Sequence, residues 1–327
     1  MRKTLLQPKW REIQRQNFTQ LPKLIEFLEL SDIDKEKILS RPTFPLNLPL
    51  RLAQKIQKGT LNDPILRQFI PLIDELVIKE GFISSPTEDL EFSKTKKLLK
   101  KYRKRALLVT TSACVMNCRF CFRQNYPYET DKKNFFDELE IIKKDSSLNE
   151  IILSGGDPLS LSDDVLTSLI DQLEQIDHLK ILRFHTRFPI GIPERISKEL
   201  IEILKNRRLQ IVFVIHTNHP LELDDDVTYH LKELQKIGIP ILNHTVLLKD
   251  VNDNLETLID LNMKLICFGA IPYYLNQLDK VKGSSHFEVD KEKGKELIDG
   301  LRKHLPGYAV PRYIEEIPGR DFKTPIM

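Results

Sequence analysis

Short apolar runs alternate with amphipathic segments after residue 105, and this alternation limits the possible folds more than any other feature of the chain. Each apolar run has the length of one buried strand, and each segment between them has helical spacing. The apolar runs are residues 106–109, 150–155, 180–186, 210–217, 241–248 and 267–275. This order predicts right-handed β-α-β units and a parallel sheet of six strands, fewer than the eight of a closed barrel. A helix over 291–305 and an edge strand over 309–317 are expected to follow.

The first third of the chain has a different pattern. Leu21, Leu24 and Leu28 repeat at helical spacing, and the prolines within 42–49 favour extended chain and turns. We therefore predict two parts: an N-terminal, mainly helical extension over 1–105 and an α/β domain over 106–327.

Polar residues cluster where the predicted strands end. In parallel α/β sheets, the carboxyl ends of the strands and the loops after them carry the chemistry. The candidates are the cysteines after the first strand, then Ser154, Gly155, Gly156, Asp157, His185, Thr186, Arg187, His216, Thr217, Asn218, Asn243, His244, Tyr273 and Tyr274. One strand-end histidine is usually structural, but six strands in succession with polar ends predict that this edge is the functional site.

Composition excludes several classes of protein. The net charge of +3 is too small to indicate a nucleic-acid or membrane partner by itself, and no apolar run reaches the ~18 residues of a membrane span. The N-terminus lacks the apolar stretch of a secretory signal. Four cysteines in 327 residues do not form a disulfide framework. These features predict a cytoplasmic protein.

Three of the four cysteines stand together at Cys114, Cys118 and Cys121. A structural zinc site takes four ligands, commonly as two separated pairs, and Cys267, expected on the sixth strand, is a poor candidate for the fourth. Three cysteines fit a [4Fe-4S] cluster that leaves one iron open to a small molecule. The Cys-x3-Cys-x2-Cys spacing, with Phe120 before the last cysteine, resembles the radical S-adenosylmethionine (SAM) superfamily.

That resemblance implies a partial (β/α)6 barrel with the cluster loop after its first strand. It also implies that SAM chelates the open iron and is cleaved by an electron from the cluster to a 5′-deoxyadenosyl radical. The segment Ser154, Gly155, Gly156 and Asp157 looks like the glycine-rich segment that contacts SAM, where glycines permit close backbone approach. His216 is assigned to cofactor binding as well.

A narrower resemblance covers roughly residues 40–325. The segments "RALLVTTSACVMNCRFCFR", "LSGGDPL", "NHTVLLKDVND", "PYYLNQLDKVKGSSHF" and "GYAVPRYIEEIPGRDFKTP" are similar to lysine 2,3-aminomutases. They are most similar to the short bacterial members that serve β-lysylation of elongation factor P. These enzymes isomerise L-lysine to β-lysine by 2,3-amino migration and regenerate SAM.

The family carries pyridoxal 5′-phosphate (PLP) on a lysine before Thr-Pro, which here is Lys323. Longer relatives precede this lysine with a glycine run, whereas this chain has Arg320, Asp321 and Phe322 after Gly319. Residues matching Lys101, Tyr102 and Arg105 lie near the cofactor phosphate in the family. They belong to a run with eight positive charges over 94–105, which would otherwise be interpreted as a solvated basic helix.

The resemblance also assigns the substrate contacts. Arg123 matches the arginine that binds the lysine carboxylate, and a guanidinium suits that group bidentately. Asp279 and Glu316 match the two acids that bind the far ammonium. Glu316 replaces an aspartate of the longer enzymes, and its extra methylene is expected to shift how lysine sits; the resemblance to the short elongation-factor-P type implies (R)-β-lysine as the product. Expected partners are L-lysine, an electron donor such as flavodoxin or ferredoxin, and elongation factor P with its lysyl ligase.

Two alternatives remain open from the sequence. One is a radical SAM enzyme that acts on another amino acid, or without PLP on a peptide or RNA. The other is a zinc-binding nucleic-acid module built on the basic run at 94–105, against which the strand and helix alternation argues.

Overall fold

The computed structural model describes residues 9–128 and 134–327. Residues 1–8, on which the expectation of no secretory signal partly rests, lie outside the described part. The α-helices are α1 (Lys9–Gln14), α2 (Leu21–Phe27), α3 (Asp32–Lys35), α4 (Leu50–Ala53), α5 (Phe136–Lys144), α6 (Asp163–Glu174), α7 (Phe188–Gly191), α8 (Lys198–Leu204), α9 (Asp225–Lys236), α10 (Leu255–Cys267) and α11 (Lys291–His304). The 3-10 helices are Leu66–Gln68, Ile73–Leu76, Asp89–Phe92, Pro158–Ser160, Pro193–Arg195, Pro220–Glu222, Ser285–Phe287 and Gly307–Ala309.

One nine-stranded sheet runs in sequence order from its first strand to its last. Its strands are β1 (Leu98–Tyr102), β2 (Arg105–Thr111), β3 (Glu150–Gly155), β4 (Ile181–Thr186), β5 (Gln210–His216), β6 (Ile241–Val246), β7 (Ile271–Asn276), β8 (Arg312–Glu315) and β9 (Thr324–Pro325). Strands β2 to β8 are parallel, while β1 and β9 are antiparallel to their neighbours. Helices connect the parallel strands, so the predicted α/β fold with a partial barrel is confirmed.

N-cap residues mark the start of three helices that cover the sheet. Asp224, Asn254 and Asp290 each precede a helix, and each side chain accepts a backbone N–H from its first turn. Such N-caps satisfy donors that a helix leaves unpaired, and each stabilises a helix by about 1 kcal/mol. These caps therefore fix the residue at which each loop ends and the following helix begins.

One alternative interpretation is excluded and one sequence prediction was wrong. Part of the basic run forms strand β1, which excludes the alternative of a solvated helix, because Leu98 and Leu99 are buried and pair with Leu108 and Leu107 of β2. Cys267 is the last residue of α10, and the strand begins only at Ile271, after a glycine with positive φ. The strand expected over 309–317 is present as β8 and adds a seventh parallel strand, but it is not at the edge of the sheet, because β9 pairs with its other side.

The hydrophobic core continues across the predicted boundary at residue 105. One buried cluster contains Trp10, Leu24 and Leu52 together with Leu153 and Phe213 of the sheet. The division into 1–105 and 106–327 stays a prediction. Within the described residues, no helix has both the length and the apolar content to span a membrane.

Candidate active site

A cavity of about 290 Å³ lies at the carboxyl ends of the parallel strands. Three strand-end candidates, Thr217, Asn218 and Asn243, do not line it, but every residue that the sequence assigned to catalysis, to a cofactor or to the cluster does. These are Lys101, Tyr102, Arg105, Cys114, Cys118, Cys121, Arg123, Ser154, Gly155, Gly156, Asp157, His216, Asp279, Glu316 and Lys323. The parallel register explains much of this convergence, because strand ends that are far apart in sequence meet at one edge of the sheet. Lys101 and Tyr102 come instead from the antiparallel strand β1, and Arg105 from the start of β2.

The cysteine loop follows β2 and is anchored from outside by the N-terminal part. Asn47 donates to the Cys114 carbonyl at 3.1 Å, and its own carbonyl accepts the Asn117 N–H at 2.9 Å. The Arg119 side chain, only 2% exposed, donates to Glu75 at 2.7 Å through Nε and to the Phe44 carbonyl at 2.6 Å. Residues of the extension therefore hold the loop that carries the cysteines.

The three thiols are free and only partly exposed. Burial raises the pKa of all three, although Arg187 partly opposes this at Cys118, and burial together with the neighbouring Cys118 raises the pKa of Cys121 to about 11. Three thiolates in one buried loop repel each other unless a cation compensates them. The loop is thus a set of soft sulfur ligands that favours an iron or zinc centre over a free-thiolate state.

Arg187, which follows β4, contacts this loop directly. Its Nη1 donates to the Cys118 sulfur at 2.8 Å, and its Nη2 donates to Glu222 and to Gln68, both at 2.7 Å. Glu222 and Gln68 are fully buried. Burial alone would lower the pKa of Arg187, but Cys118 and Glu222 outweigh it and raise that pKa. A buried guanidinium is therefore fixed beside one sulfur.

The glycine-rich turn after β3 packs against the backbone of the cysteine loop. The Gly156 N–H donates to the Thr111 carbonyl at 2.6 Å, and the Asp157 N–H donates to the Ala113 carbonyl at 2.8 Å. A Cβ on Gly156 would overlap the Ala113 carbonyl, so only glycine fits this approach. The turn and the cysteine loop form one rigid wall of the cavity.

Asp157 joins this turn to the loop after β4. Its carboxylate accepts hydrogen bonds from the Thr186 hydroxyl and from the backbone N–H groups of Leu159, Arg187 and Phe188, at 2.7 to 3.0 Å. Burial raises the pKa of Asp157 to about 6 despite these bonds. The side chain thus holds the backbone that carries Arg187.

The opposite end of the cavity is built from charges on separate segments. Glu316 accepts the Tyr102 hydroxyl at 2.7 Å and pairs with Lys101 at 3.1 Å and with Lys323 at 3.2 Å. Burial alone would raise the pKa of Glu316, but Lys323 and Lys101 outweigh it and lower that pKa. Burial raises the pKa of Asp279 to about 6, partly opposed by Lys323.

A hairpin places Lys323 beside Glu316. Strands β8 and β9 pair Glu315 with Thr324, so the next pair outward is Glu316 and Lys323. Gly319 lies in the connecting loop with φ +77°, a conformation that other residues rarely adopt. The chain therefore turns back without the glycine run of longer relatives.

Asp89 links Arg123 to the charges around Glu316, and no pattern in the sequence indicated its role. It accepts from Arg123 Nε at 2.8 Å and pairs with Lys101 at 3.4 Å. Arg123 Nη1 also donates to the Ser154 hydroxyl at 3.2 Å. Asp89 lies in the irregular N-terminal part, where no periodicity points to a functional residue.

Comparisons with known proteins agree with this geometry. Residues 108–261 match the family described as Radical SAM superfamily. A protein named L-lysine 2,3-aminomutase from Escherichia coli (strain K12) is 41% identical over 309 residues, covering 92% of this chain and 90% of that protein. The protein of the same name from Haemophilus influenzae is 40% identical over 305 residues, with 92% and 90% covered. That from Clostridium subterminale is 32% identical over 328 residues, with 97% and 77% covered. The chain therefore belongs to the radical SAM lysine 2,3-aminomutase family.

Proposed function

We propose that this chain isomerises L-lysine to β-lysine by moving the amino group from C2 to C3. The observation that carries the proposal is a continuous series of charges along one cavity wall. It runs from Arg123 through Asp89, Lys101 and Glu316 to Lys323, with successive contacts of 2.8, 3.4, 3.1 and 3.2 Å. A substrate with a carboxylate at one end and an ammonium at the other suits such a wall.

The cysteine loop fits the cluster of this family. Cys114, Cys118 and Cys121 lie on one loop and line the same cavity. Three cysteines suit a cubane, in which each cysteine binds a different iron. In this proposal Ser154, Gly155, Gly156 and His216 contact SAM beside the cluster, and Asp157 holds their loop in place.

Lys323 and its surroundings fit PLP. The Lys323 amine lines the same cavity as Lys101, Tyr102 and Arg105, and the Arg105 guanidinium lies 4.6 Å from the centre of the Tyr102 ring. Lys101 and Arg105 would neutralise the cofactor phosphate, and Lys323 would hold PLP covalently.

When bound, the cluster and SAM supply a carbon radical that takes a hydrogen atom from C3, and PLP supplies a conjugated ring that delocalises the unpaired electron. The protein positions the substrate. Arg123 uses two of its five N–H groups on Asp89 and Ser154, which leaves three donors for the substrate carboxylate. Asp279 and Glu316 line the same cavity as Lys323, and their carboxylates would bind the substrate ammonium.

We further propose (R)-β-lysine as the product, supplied for modification of elongation factor P, and a flavodoxin or ferredoxin as electron donor. The resemblance to the short bacterial members supports this, as does the higher identity to the Escherichia coli protein than to the Clostridium subterminale protein. Chiral analysis of the product tests the stereochemistry, and the mass of elongation factor P in a complemented deletion strain tests the physiological role.

The reaction is tested by anaerobic reconstitution with iron, sulfide and PLP, followed by incubation with L-lysine, SAM and dithionite. We expect β-lysine to form, and to form only when PLP is present. Cleavage of SAM without β-lysine would assign the chain to another substrate. Formation of β-lysine without PLP would contradict the proposed role of Lys323.

A further inference from the structure

Exposed apolar side chains are concentrated on one short segment of the N-terminal part. Among residues 9–128 and 134–327, fifteen large apolar side chains are exposed, and five of them lie within residues 73–83. Their exposure ranges from 46% at Ile73 to 90% at Ile78. A turn, closed by the Phe82 N–H on the Lys79 carbonyl at 3.1 Å, leaves Ile78 and Ile83 on its two sides. We call the five residues the apolar patch: Ile73, Leu76, Val77, Ile78 and Ile83.

Glu75 joins the apolar patch to the loop that carries the cysteines. It lies between Ile73 and Leu76 in the chain, and its carboxylate accepts hydrogen bonds from Nε of Arg119, at 2.7 Å, and from Nη2 of the same side chain. Arg119 is buried and directly follows Cys118. A single ion pair therefore connects the patch to the residue beside a sulfur ligand.

Aromatic rings give a second connection between this surface and the cysteine loop. Phe120 directly precedes Cys121 and packs edge-on against the buried Phe287, with ring centres 6.1 Å apart. Phe82, in the turn beside the patch, packs against the same apolar cluster. Packed side chains thus connect the outer surface to the loop, and this short, dense connection suits the entry of an electron.

The turn is the positively charged side of the patch. Lys79 and Lys280 lie over the Phe82 ring, and both pair with one carboxylate, that of Glu288. One shared acid leaves a positive charge uncompensated. The exposed charged residues of 73–83 and 280–283 are Lys79, Lys280 and Lys282 with Asp74 and Glu80, and Asp74 stands at the far end of its segment from the turn.

We propose that the apolar patch and the lysines of the turn dock a flavodoxin with acidic groups around its flavin. A flavin exposes the apolar edge of its ring, which suits the patch, and the acidic rim suits the lysines. Five side chains offer a few hundred Å², which is typical of functional patches on monomers. That area suits a transient redox encounter, which buries less than about 1,200 Å² in total, better than a permanent dimer.

This inference rests on the part of the proposed function that places a cluster on the three cysteines. The flavin, as its anionic hydroquinone, gives up one electron and the oxidised cluster takes it up, so no proton moves. The electron enters through the outer side of the cysteine loop, whereas SAM and lysine occupy the cavity on its inner side.

Docking is tested on the full chain after anaerobic reconstitution of its cluster. The protein is mixed with flavodoxin hydroquinone, and cluster reduction is followed by rapid freezing and electron paramagnetic resonance. Ile78→Asp should slow this reduction about tenfold or more, because it places an acid opposite the acidic rim. Ile271→Asp, at an exposed isoleucine where β7 begins, should leave the rate unchanged. Equal rates in the two variants would overturn the proposal.

Reduction by dithionite is the matched measurement on the same preparations. Dithionite needs no docking surface, so both variants should be reduced as fast as the native protein. β-Lysine formation with dithionite tests the proposed function separately, and its absence would refute that function while the flavodoxin rates still decide the docking. A slow reaction of Ile78→Asp with dithionite as well would mean that the substitution damages the cluster, and would contradict a docking role.

Two further measurements complete the test. Lys282→Glu should slow reduction by flavodoxin at low ionic strength and do so less at high ionic strength, because salt screens exposed charges. A rate that is indifferent to Lys282→Glu at every salt concentration would contradict the role of the lysines. A native dimer that becomes monomeric in Ile78→Asp would assign the patch to a second copy of the chain and overturn the docking.

Discussion

The cysteine end and the lysine end of the cavity are held by different kinds of contact. The cysteine end, comprising Cys114, Cys118 and Cys121, is fixed by backbone hydrogen bonds of its loop and by two buried arginines, Arg119 and Arg187, which are each paired with a glutamate. The lysine end, comprising Asp279, Glu316 and Lys323, depends on ion pairs between side chains, and the Lys323 side chain is 28% exposed. Backbone bonds survive most single substitutions, whereas an ion pair is lost with either partner. The cysteine end should therefore tolerate changes around its ligands, and the lysine end should not.

The largest effect is expected from the cysteines themselves. Replacing Cys114, Cys118 or Cys121 by alanine should abolish SAM cleavage, because each would ligate one iron of the same cluster. The fold should persist, since the loop is anchored through Asn47 and Arg119. SAM cleavage and circular dichroism measure the two outcomes.

Cys267→Ala is the matched control, because Cys267 is exposed at the end of α10. It should retain full SAM cleavage. Cleavage by the triple alanine variant would refute the cluster assignment.

The next largest effect concerns Lys323. Lys323→Ala should remove covalently held PLP, seen as loss of an absorption band near ~420 nm, and with it β-lysine formation. Lys303→Ala, at an exposed lysine of α11, should keep both. A borohydride-trapped adduct on Lys101, the other lysine that contacts Glu316, would move the PLP site to β1.

Substitutions of Asp279 and Glu316 should both impair substrate binding but should differ in their effect on PLP binding. Removing one of two acids that face a buried ammonium costs about 3–5 kcal/mol, a loss in the rate with lysine of ~10² to several 10³. Asp279→Asn should leave PLP binding intact. Glu316→Gln should weaken PLP binding as well, because Glu316 also holds Lys101 and Tyr102. Aminomutase rates and PLP content measure the difference.

Two observations would contradict these roles. Asp299→Asn replaces an exposed acid and is the control, so it should change the activation free energy by less than about 0.5 kcal/mol. A near-native rate in Asp279→Asn would mean that Asp279 does not bind lysine either. The raised pKa of Asp279, about 6, means that its negative charge is lost as the pH falls below that value. Lysine binding by the native protein should accordingly weaken below about pH 6, and an unchanged affinity at pH 5 would argue against an ionised Asp279.

The smallest effect is expected from Arg187, which touches the cluster only through Cys118. A hydrogen bond from a cation favours the reduced, more negative cluster. Arg187→Met combined with Glu222→Gln should lower the reduction potential by on the order of 50 mV, as measured by a titration followed by electron paramagnetic resonance. Glu222→Gln alone keeps the guanidinium and should shift the potential less. Equal potentials in the two variants would mean that Arg187 is only structural.

The cysteine end of the cavity could be predicted from the sequence, because the motifs that form it each lie within one short segment. Cysteine spacing and a glycine-rich turn lie within short segments, and strand and helix periodicity predicted the edge at which they would meet. Periodicity failed at 94–105, where the charges of the lysines concealed the strand that Leu98 and Leu99 bury. It failed again at Cys267, where one continuous apolar run covers both a helix end and a strand start.

By itself, then, the sequence determined the α/β class, the functional edge of the sheet and the residue types available there. Only the tertiary structure decided which of them pair. Asp89 reaches Arg123 and Arg187 reaches Cys118, although each pair is separated by tens of residues. A side-chain contact of about 3 Å depends on how separate strands align and how the sheet curves. No pattern within a single segment records that alignment, because it is set by the packing of the whole core.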